Sequence, residues 1–253
     1  MSGGLRPGRR GMVAPSLFAC AGLIVLIALG AWQLERRAWK HDLIDTIARR
    51  LAAAPLALPT PERWGSLDAA QDEFRRVTAA VEFVHAQEAL VYTSGSALRS
   101  DVSGPGYWVF KPARIGDDKL VIVNRGFVPE KDRDPATRAA GAVTGLIDID
   151  GVMRWPEAGN WFTPAGDVTR NIFFARDHLA MAAAKGWQNV APFYLDQEAP
   201  PPPGGLPRPG KLNVNLPDNH LQYAITWFGL ALVLLGVFTA FVLANRPKVG
   251  AGE

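Results

Sequence analysis

The sequence predicts an α+β membrane protein in which two apolar helices, one near each end, flank a mainly antiparallel sheet domain outside the membrane. Three observations predict this. Val13 to Leu34 and Asn219 to Asn245 each offer about 22 residues without a charged side chain, roughly 33 Å of helix and close to the thickness of a bilayer's hydrocarbon core. Between them the apolar pattern changes to a period of two residues. The segments with that period are joined by short Gly, Asp and Ser turns, which favours antiparallel pairing.

These patterns divide the chain into a tail at 1–12, a span at 13–34, an α+β domain at 35–222 with a proline-rich linker near 200–210, a span at 223–244 and a tail at 245–253. Of the formal net charge of +3, the tails hold Arg6, Arg9, Arg10, Arg246 and Lys248 against Glu253. Positive charge beside membrane segments marks the cytoplasmic side, so both termini are expected inside and the domain in the periplasm. Arg36, Arg37 and Lys40 crowd the other end of the first span, but a long domain translocates largely regardless of charge. Two alternatives stay open for the spans. They could be buried helices of a soluble protein, although such helices seldom lack a polar face over this length. The first could be a signal peptide cleaved near Ala28-Leu29-Gly30, although its apolar run is long and its flanking aromatic and basic residues suit a retained helix. The short segment before it is unlike a mitochondrial presequence, so a bacterial inner membrane is the expected location.

The single Cys20 sits mid-span as a small apolar filler, so no disulfide forms within the chain and no cysteine pair is offered to copper or zinc. No basic run with interleaved aromatics marks a nucleic-acid surface.

In chain order, Trp32, Gln33, Arg36, Arg37, Trp39 and Lys40 form an aromatic and basic collar suited to the headgroup region. A helical pattern continues through Leu43, Ile44, Ile47 and Leu51 until Pro55, Pro59 and Pro61 stop it. From Phe74, Val77, Ala79, Val81 and Phe83 share one face of a half-buried strand. Ala89 to Ser94 reads as its hairpin partner, and Ser103 to Gly106 reads as a turn. Tyr107 to Ile115 is the next strand, turning at Gly116, Asp117 and Asp118 into Lys119 to Phe127. That strand is apolar on both faces from Leu120 to Val123 and so should be the most buried one, broken at its end by Asn124-Arg125-Gly126. Gly145 to Arg154 alternates again, and Asn171 to Ala175 is a short strand. Asp177 caps a helix reaching Lys185, Val190 to Asp196 is the last strand, and Pro200 to Pro209 is an extended linker back to the membrane.

Common catalytic signatures, the nucleophile elbow, the phosphate-binding loop and the zinc-protease helix, are missing. His41, His85 and His178 are scattered without ligand spacing. His220 stands in the first turn of the second span after Pro217, Asp218 and Asn219, with Tyr223 and Trp227 on the same helical face. Imidazole at such an interface can ligate haem iron while the aromatic rings pack on a porphyrin. The same residues also describe a plain interfacial aromatic belt, and sequence physics leaves both readings open.

Three runs point further: Gly30-Ala31-Trp32-Gln33 with Arg36, Trp39 and Lys40; Asn124-Arg125-Gly126-Phe127-Val128-Pro129; and Asn219-His220-Leu221-Gln222-Tyr223-Ala224 with Thr226-Trp227-Phe228. In sequence, order and two-span layout the chain resembles the surfeit-locus-one family of cytochrome c oxidase assembly factors. The resemblance implies a non-enzymatic assembly role that brings haem a to oxidase subunit I, with His220 as iron ligand and haem a synthase as a possible further partner. It also implies that Trp32, Arg36, Trp39, Asn124, Arg125 and Gly126 serve partner contacts or structure, with Arg36, Arg37 and Lys40 meeting propionates or anionic lipid. No second axial ligand is evident beyond His41 or a partner's residue. The alternative is a cofactor-free scaffold in which the spans clamp the assembling subunit and the outer sheet recruits other factors.

Overall fold

A computed structural model describes residues 12–96, 98–116, 118–213 and 218–245. The basic tail residues Arg6, Arg9, Arg10, Arg246 and Lys248, the turn residue Asp117 and the helix-start residue Pro217 lie outside the described residues. In chain order the elements are α1 (Val13–Ala52), β1 (Leu56–Ala57), α2 (Ala69–Asp72), β2 (Arg76–Phe83), β3 (Ala89–Gly95), β4 (Ser103–Ile115), β5 (Lys119–Pro129), β6 (Leu146–Arg154), β7 (Ile172–Phe173), α3 (His178–Lys185), β8 (Val190–Ala199) and α4 (His220–Ala244). The chain divides into a helical unit, residues 1–44 with 216–253, and a lobe, residues 45–215.

In the helical unit α1 and α4 are both long and apolar enough to cross a membrane, and only 6% of each apolar window is buried. The core helix of a soluble protein would be mostly covered, so two long apolar helices left this exposed are consistent with a membrane protein. The helical pattern beyond Trp39 does continue, and α1 is one helix of 40 residues. Small residues bring α1 and α4 together. A Cβ on Gly30 would stand 2.6 Å from the ring of Phe228, and the buried residues of α4 are Ala224 and Ala231.

The lobe is one eight-stranded sheet in the order β1-β2-β6-β8-β5-β4-β3-β7. Its closure comes from a further pairing of β2 with β4, Glu82 opposite Arg114 and Phe83 opposite Ala113. Strands β2, β6, β8, β5 and β4 thus form a barrel, from which β3 and β7 extend. Pairing is mainly antiparallel, as expected, with β1–β2, β3–β7 and β5–β8 parallel. The period-two faces fill the barrel: Val77, Val81, Val121, Val123, Ile149, Met153, Phe193 and Leu195 form one core. Trp64 joins this core by packing edge-on against Phe193 at 5.6 Å. A second core lies on the other face of β5 and β8, where Ile122 and Tyr194 meet Phe110, Met181 and Trp187. That is why β5 is apolar on both sides.

Three expectations are corrected. Ala89 to Gly95 pairs with β4 rather than forming a hairpin with β2, while β2 finds β6 through a seven-residue register. Ser103 to Gly106 is strand, not turn. A Cβ on Gly106 would stand 2.4 Å from the Val128 carbonyl oxygen, so the glycine marks a close strand approach rather than a reversal. The proline tract is not a free linker, because Arg208 bridges Phe127 through paired backbone hydrogen bonds of 3.0 and 2.8 Å.

Helix α3 follows the reading closely. The Asp177 carboxylate accepts from the amides of Leu179 at 3.1 Å and Ala180 at 3.0 Å. Asp177→Ala should cost about 1 kcal/mol of lobe stability, measured by denaturant unfolding, and an unchanged midpoint would show that the cap contributes nothing.

Candidate functional site

The helical unit gathers the residues that sequence order keeps far apart. Close packing of α1 on α4 at Gly30 and Phe228 sets Gln33 beside His220, and the His220 Nδ1 lies 2.7 Å from the Gln33 amide oxygen. An amide oxygen only accepts, so Nδ1 carries the proton and donates. In the neutral imidazole the lone pair is then on Nε2, for which no described residue supplies a hydrogen bond. A second anchor holds the backbone at the helix start. The Asp218 Oδ1 accepts from the amide of His220 at 2.9 Å, and its Oδ2 meets His41 Nε2 at 2.8 Å and the Arg37 Nε at 3.3 Å. The His220 amide, the His41 ring and the Arg37 guanidinium together pull the Asp218 carboxyl down to about 2. Asp218 therefore stays ionised, and the stabilisation it gives is lost only as pH falls below the ordinary carboxylate range towards that value.

The helix start was legible, but its cap was not. Asn219 occupies the cap position without a side-chain hydrogen bond, and the neighbouring carboxylate of Asp218 does the work. Gln33 stands in the Gly30-Ala31-Trp32-Gln33 run, yet its partner can be found only from the crossing of two helices. Of the other expected residues, Tyr223 is 55% exposed. Trp227 is half-buried, with its indole N–H unbonded among the described residues. In the collar Trp32 and Trp39 are exposed, and the Arg36 guanidinium lies 4.0 Å over the Trp39 ring. The structure thus joins His220 to the collar through Gln33, Arg37 and His41. It shows no ring contact of His220 with Tyr223 or Trp227 among the described residues.

The central run lies in the lobe and is buried. Asn124 donates to Asp196 at 2.5 Å and accepts from the Gly126 amide at 3.1 Å. Arg125 is 2% exposed, donates to the Gly141 carbonyl at 2.9 Å and lies 4.4 Å over the Phe83 ring. Burial, with the Arg138 charge beside it, pushes the Arg125 guanidinium down to about 10. Arg138 and Lys111 share the carboxylate of Glu88 nearby. These side chains tie the barrel together and are covered from solvent, so a partner could not touch Arg125. The remaining histidines are apart: His178 is fully buried on the Ala191 carbonyl and His85 bonds the Val143 carbonyl.

A metal held by protein side chains alone does not fit. Among the described residues no group of three or more His, Cys, Asp or Glu could hold one. An iron that arrives with nitrogen ligands of its own would need one further donor, which the Nε2 of His220 in its neutral form would supply. The donor chemistry of His220 therefore fits a haem.

Comparison with known proteins agrees over almost the whole chain. The SURF1 family model matches residues 20–232. The SURF1-like protein of Monosiga brevicollis is 34% identical over 225 residues, 85% of this chain and 82% of that protein. Surfeit locus protein 1 of Takifugu rubripes is 35% identical over 214 residues, 80% of this chain and 86% of that protein. Surfeit locus protein 1 of Homo sapiens is 32% identical over 237 residues, 89% of this chain and 77% of that protein. The matched region takes in α1 from Cys20 onward, the barrel, α4 as far as Leu232 and the Gln33–His220 pair, and on this ground the chain belongs to the SURF1 family.

Proposed function

We propose that this protein is an assembly factor for a haem-copper cytochrome c oxidase, holding haem a on His220 for insertion into subunit I. It acts without catalysing a reaction of its own. The observation that carries the reading is the 2.7 Å contact of His220 Nδ1 with Gln33, which leaves Nε2 as the donor. Haem a supplies the iron and the flat apolar ring. Gln33 fixes the tautomer and plane of the imidazole, and Asp218 fixes the backbone that carries it. The Arg36, Arg37 and Lys40 collar would meet propionates or anionic headgroups, with Arg37 also paired with Asp218. A single protein ligand suits cargo that must be released.

The proposed setting is a bacterial inner membrane, with α1 and α4 in the bilayer, the lobe in the periplasm and the tails in the cytoplasm. Subunit I is the recipient, and haem a synthase is the chemically natural donor, because it makes the haem that this site would hold.

The test is the visible spectrum of the full chain purified from cells that make haem a. A stoichiometric haem a spectrum is expected. Colourless protein that still supports oxidase assembly would replace haem carriage with the cofactor-free scaffold. Gln33→Leu should weaken haem retention about tenfold, the lower end of what removing an outer partner of a metal-bound histidine costs, and Gln33→Glu, which keeps an acceptor, should restore it. Equal retention by all three proteins, measured by haem transfer to an apo-globin, would remove Gln33 from the site.

A further inference from the structure

Basic side chains from three separate parts of the chain converge on one cavity of the lobe. The cavity measures about 730 Å³, within the roughly 300–1,000 Å³ that small-molecule sites occupy. Lys131 and Arg133 reach it from the turn after β5, Arg170 from the turn between the bridged residues Asp167 and Ile172, and Lys185 from the last turn of α3. Leu90 of β3 and Trp187, 3% and 7% exposed, give it an apolar wall. Its outline is set by the fold. Asp167 and Ile172 close their turn with backbone hydrogen bonds of 2.7 and 2.9 Å. Arg133 ties that turn to its own by donating to the Arg170 carbonyl at 2.5 Å, with its guanidinium 5.3 Å over the Tyr107 ring.

The fold leaves most of this charge unused. No described residue gives the ammonium of Lys131 or Lys185 a salt bridge or a hydrogen bond. The Arg170 side chain is 77% exposed, and its carboxylate contact is a 3.5 Å approach to Asp167. Glu88, Glu130 and Asp134 line the cavity as well, but each has another partner. Glu88 is shared by Arg138 at 2.5 Å and Lys111 at 3.2 Å. Glu130 accepts from the Tyr107 hydroxyl at 3.1 Å, and Asp134 caps the Ala136 amide at 2.9 Å. Loss of water holds Lys185 below the ordinary lysine range, against the pull of Glu88. Cations gathered around a concave surface focus a positive potential inside it and repel one another. An anion from outside would offset that repulsion. Two unpaired ammoniums on different turns call for more than one anionic group. Charges that approach from several sides suit a compact ligand better than an extended chain, which meets charges along one line.

We infer that this cavity binds a small soluble anion carrying at least two carboxylate or phosphate groups, held between Lys131 and Lys185 with Arg170 at the rim and its body against Leu90 and Trp187.

The experiment titrates citrate and pyrophosphate, separately, into the full chain in phosphatidylcholine nanodiscs and follows heat of binding and thermal unfolding. Sodium chloride at matched ionic strength is the screening control. At least one of the two anions should bind saturably and raise Tm, where chloride does not. Citrate alone would assign carboxylates and pyrophosphate alone phosphates. The pair Lys131→Gln and Lys185→Gln should weaken binding about tenfold or more, the scale of a lost hydrogen bond to a charged group. Without anion this variant should melt no lower than the parent, because it removes like charges. Lys131→Arg with Lys185→Arg, which keeps the charges, should retain binding. The inference is overturned if neither anion does more than chloride, or if binding ignores the Lys-to-Gln pair. It is equally overturned if a tetraglutamate peptide or soluble dihexanoylphosphatidic acid binds the cavity more tightly than both small anions, since the occupant would then be an acidic protein segment or a lipid headgroup. None of these readouts involves haem, so they fail or succeed apart from the function proposed above.

Discussion

His220→Ala is expected to leave the protein colourless when it is purified from cells that make haem a. The reasoning starts from the donor set. Among the described residues no multidentate metal cluster exists, and of the histidines whose ring proton a neighbour places, His85 and His178 lie in the lobe while His220 starts an apolar helix. Loss of an outer partner such as Gln33 costs roughly 10–100-fold in affinity in comparable metal sites. Loss of the ligand itself should exceed that range, so retention in the variant falls by about a hundredfold or more. His41 is a poor substitute, because its Nε2 already engages Asp218 at 2.8 Å. Folding is not at stake, since His220 is only half-buried at a helix start and the Asp218 cap acts on its backbone amide. The chemical control is His220→Gly with imidazole in the buffer. Imidazole entering the vacated position should bring the haem a spectrum back, which a merely structural histidine would not allow. Wild-type levels of haem a in His220→Ala would show that the ligand is another group.

Much of this arrangement is legible in the residues because each local signal had one physical meaning. Long uncharged runs give α1 and α4, period two gives β2 and β6, and a both-sided apolar run gives the doubly buried β5. Asp177 and Lys185 bound α3 as read. What was not legible involves pairing at a distance. Ala89 to Gly95 is recognisable as a strand, but its partner is β4 rather than the adjacent β2, because β2 closes the barrel on β6 and on the far end of β4. Composition marks Ser103 to Gly106 as a turn, yet the glycine there answers a close approach of β5. At the site, His220 announces itself by its place before an apolar run. Gln33 does not, since 187 positions separate the two and only helix packing at Gly30 unites them. Asp218 was read as part of a helix start, while its second oxygen turned out to join Arg37 and His41. Arg125, grouped with possible partner contacts, proves to be covered. A motif recognised as a string does not reveal whether it faces a partner or the core.

Gly126→Ala should unfold the lobe at a markedly lower temperature than the parent. Gly126 holds φ at 118°, a region that residues with a Cβ rarely enter. Its Cβ would also stand 2.1 Å from the carbonyl oxygen and 2.2 Å from the carbonyl carbon of Arg208, backbone atoms that cannot swing aside. Arg208 is fixed there by two backbone hydrogen bonds with Phe127, so relief means pulling the proline-rich segment off the barrel. Backbone strain alone costs about 1–3 kcal/mol and forced overpacking a similar amount. Together they amount to about 3 kcal/mol or more, a fall of roughly 6–12 °C in Tm for a domain of this size. Gly145→Ala separates the two causes, because Gly145 also has a positive φ of 83° but nothing within 4 Å of its added Cβ. It should lose only the conformational part, about half of the Gly126 effect. Thermal unfolding of the full chain in detergent, followed by tryptophan fluorescence, measures both. If Gly126→Ala melts no lower than Gly145→Ala, the proline segment is not clamped on the barrel, and the buried Asn124-Arg125-Gly126 run loses its structural explanation.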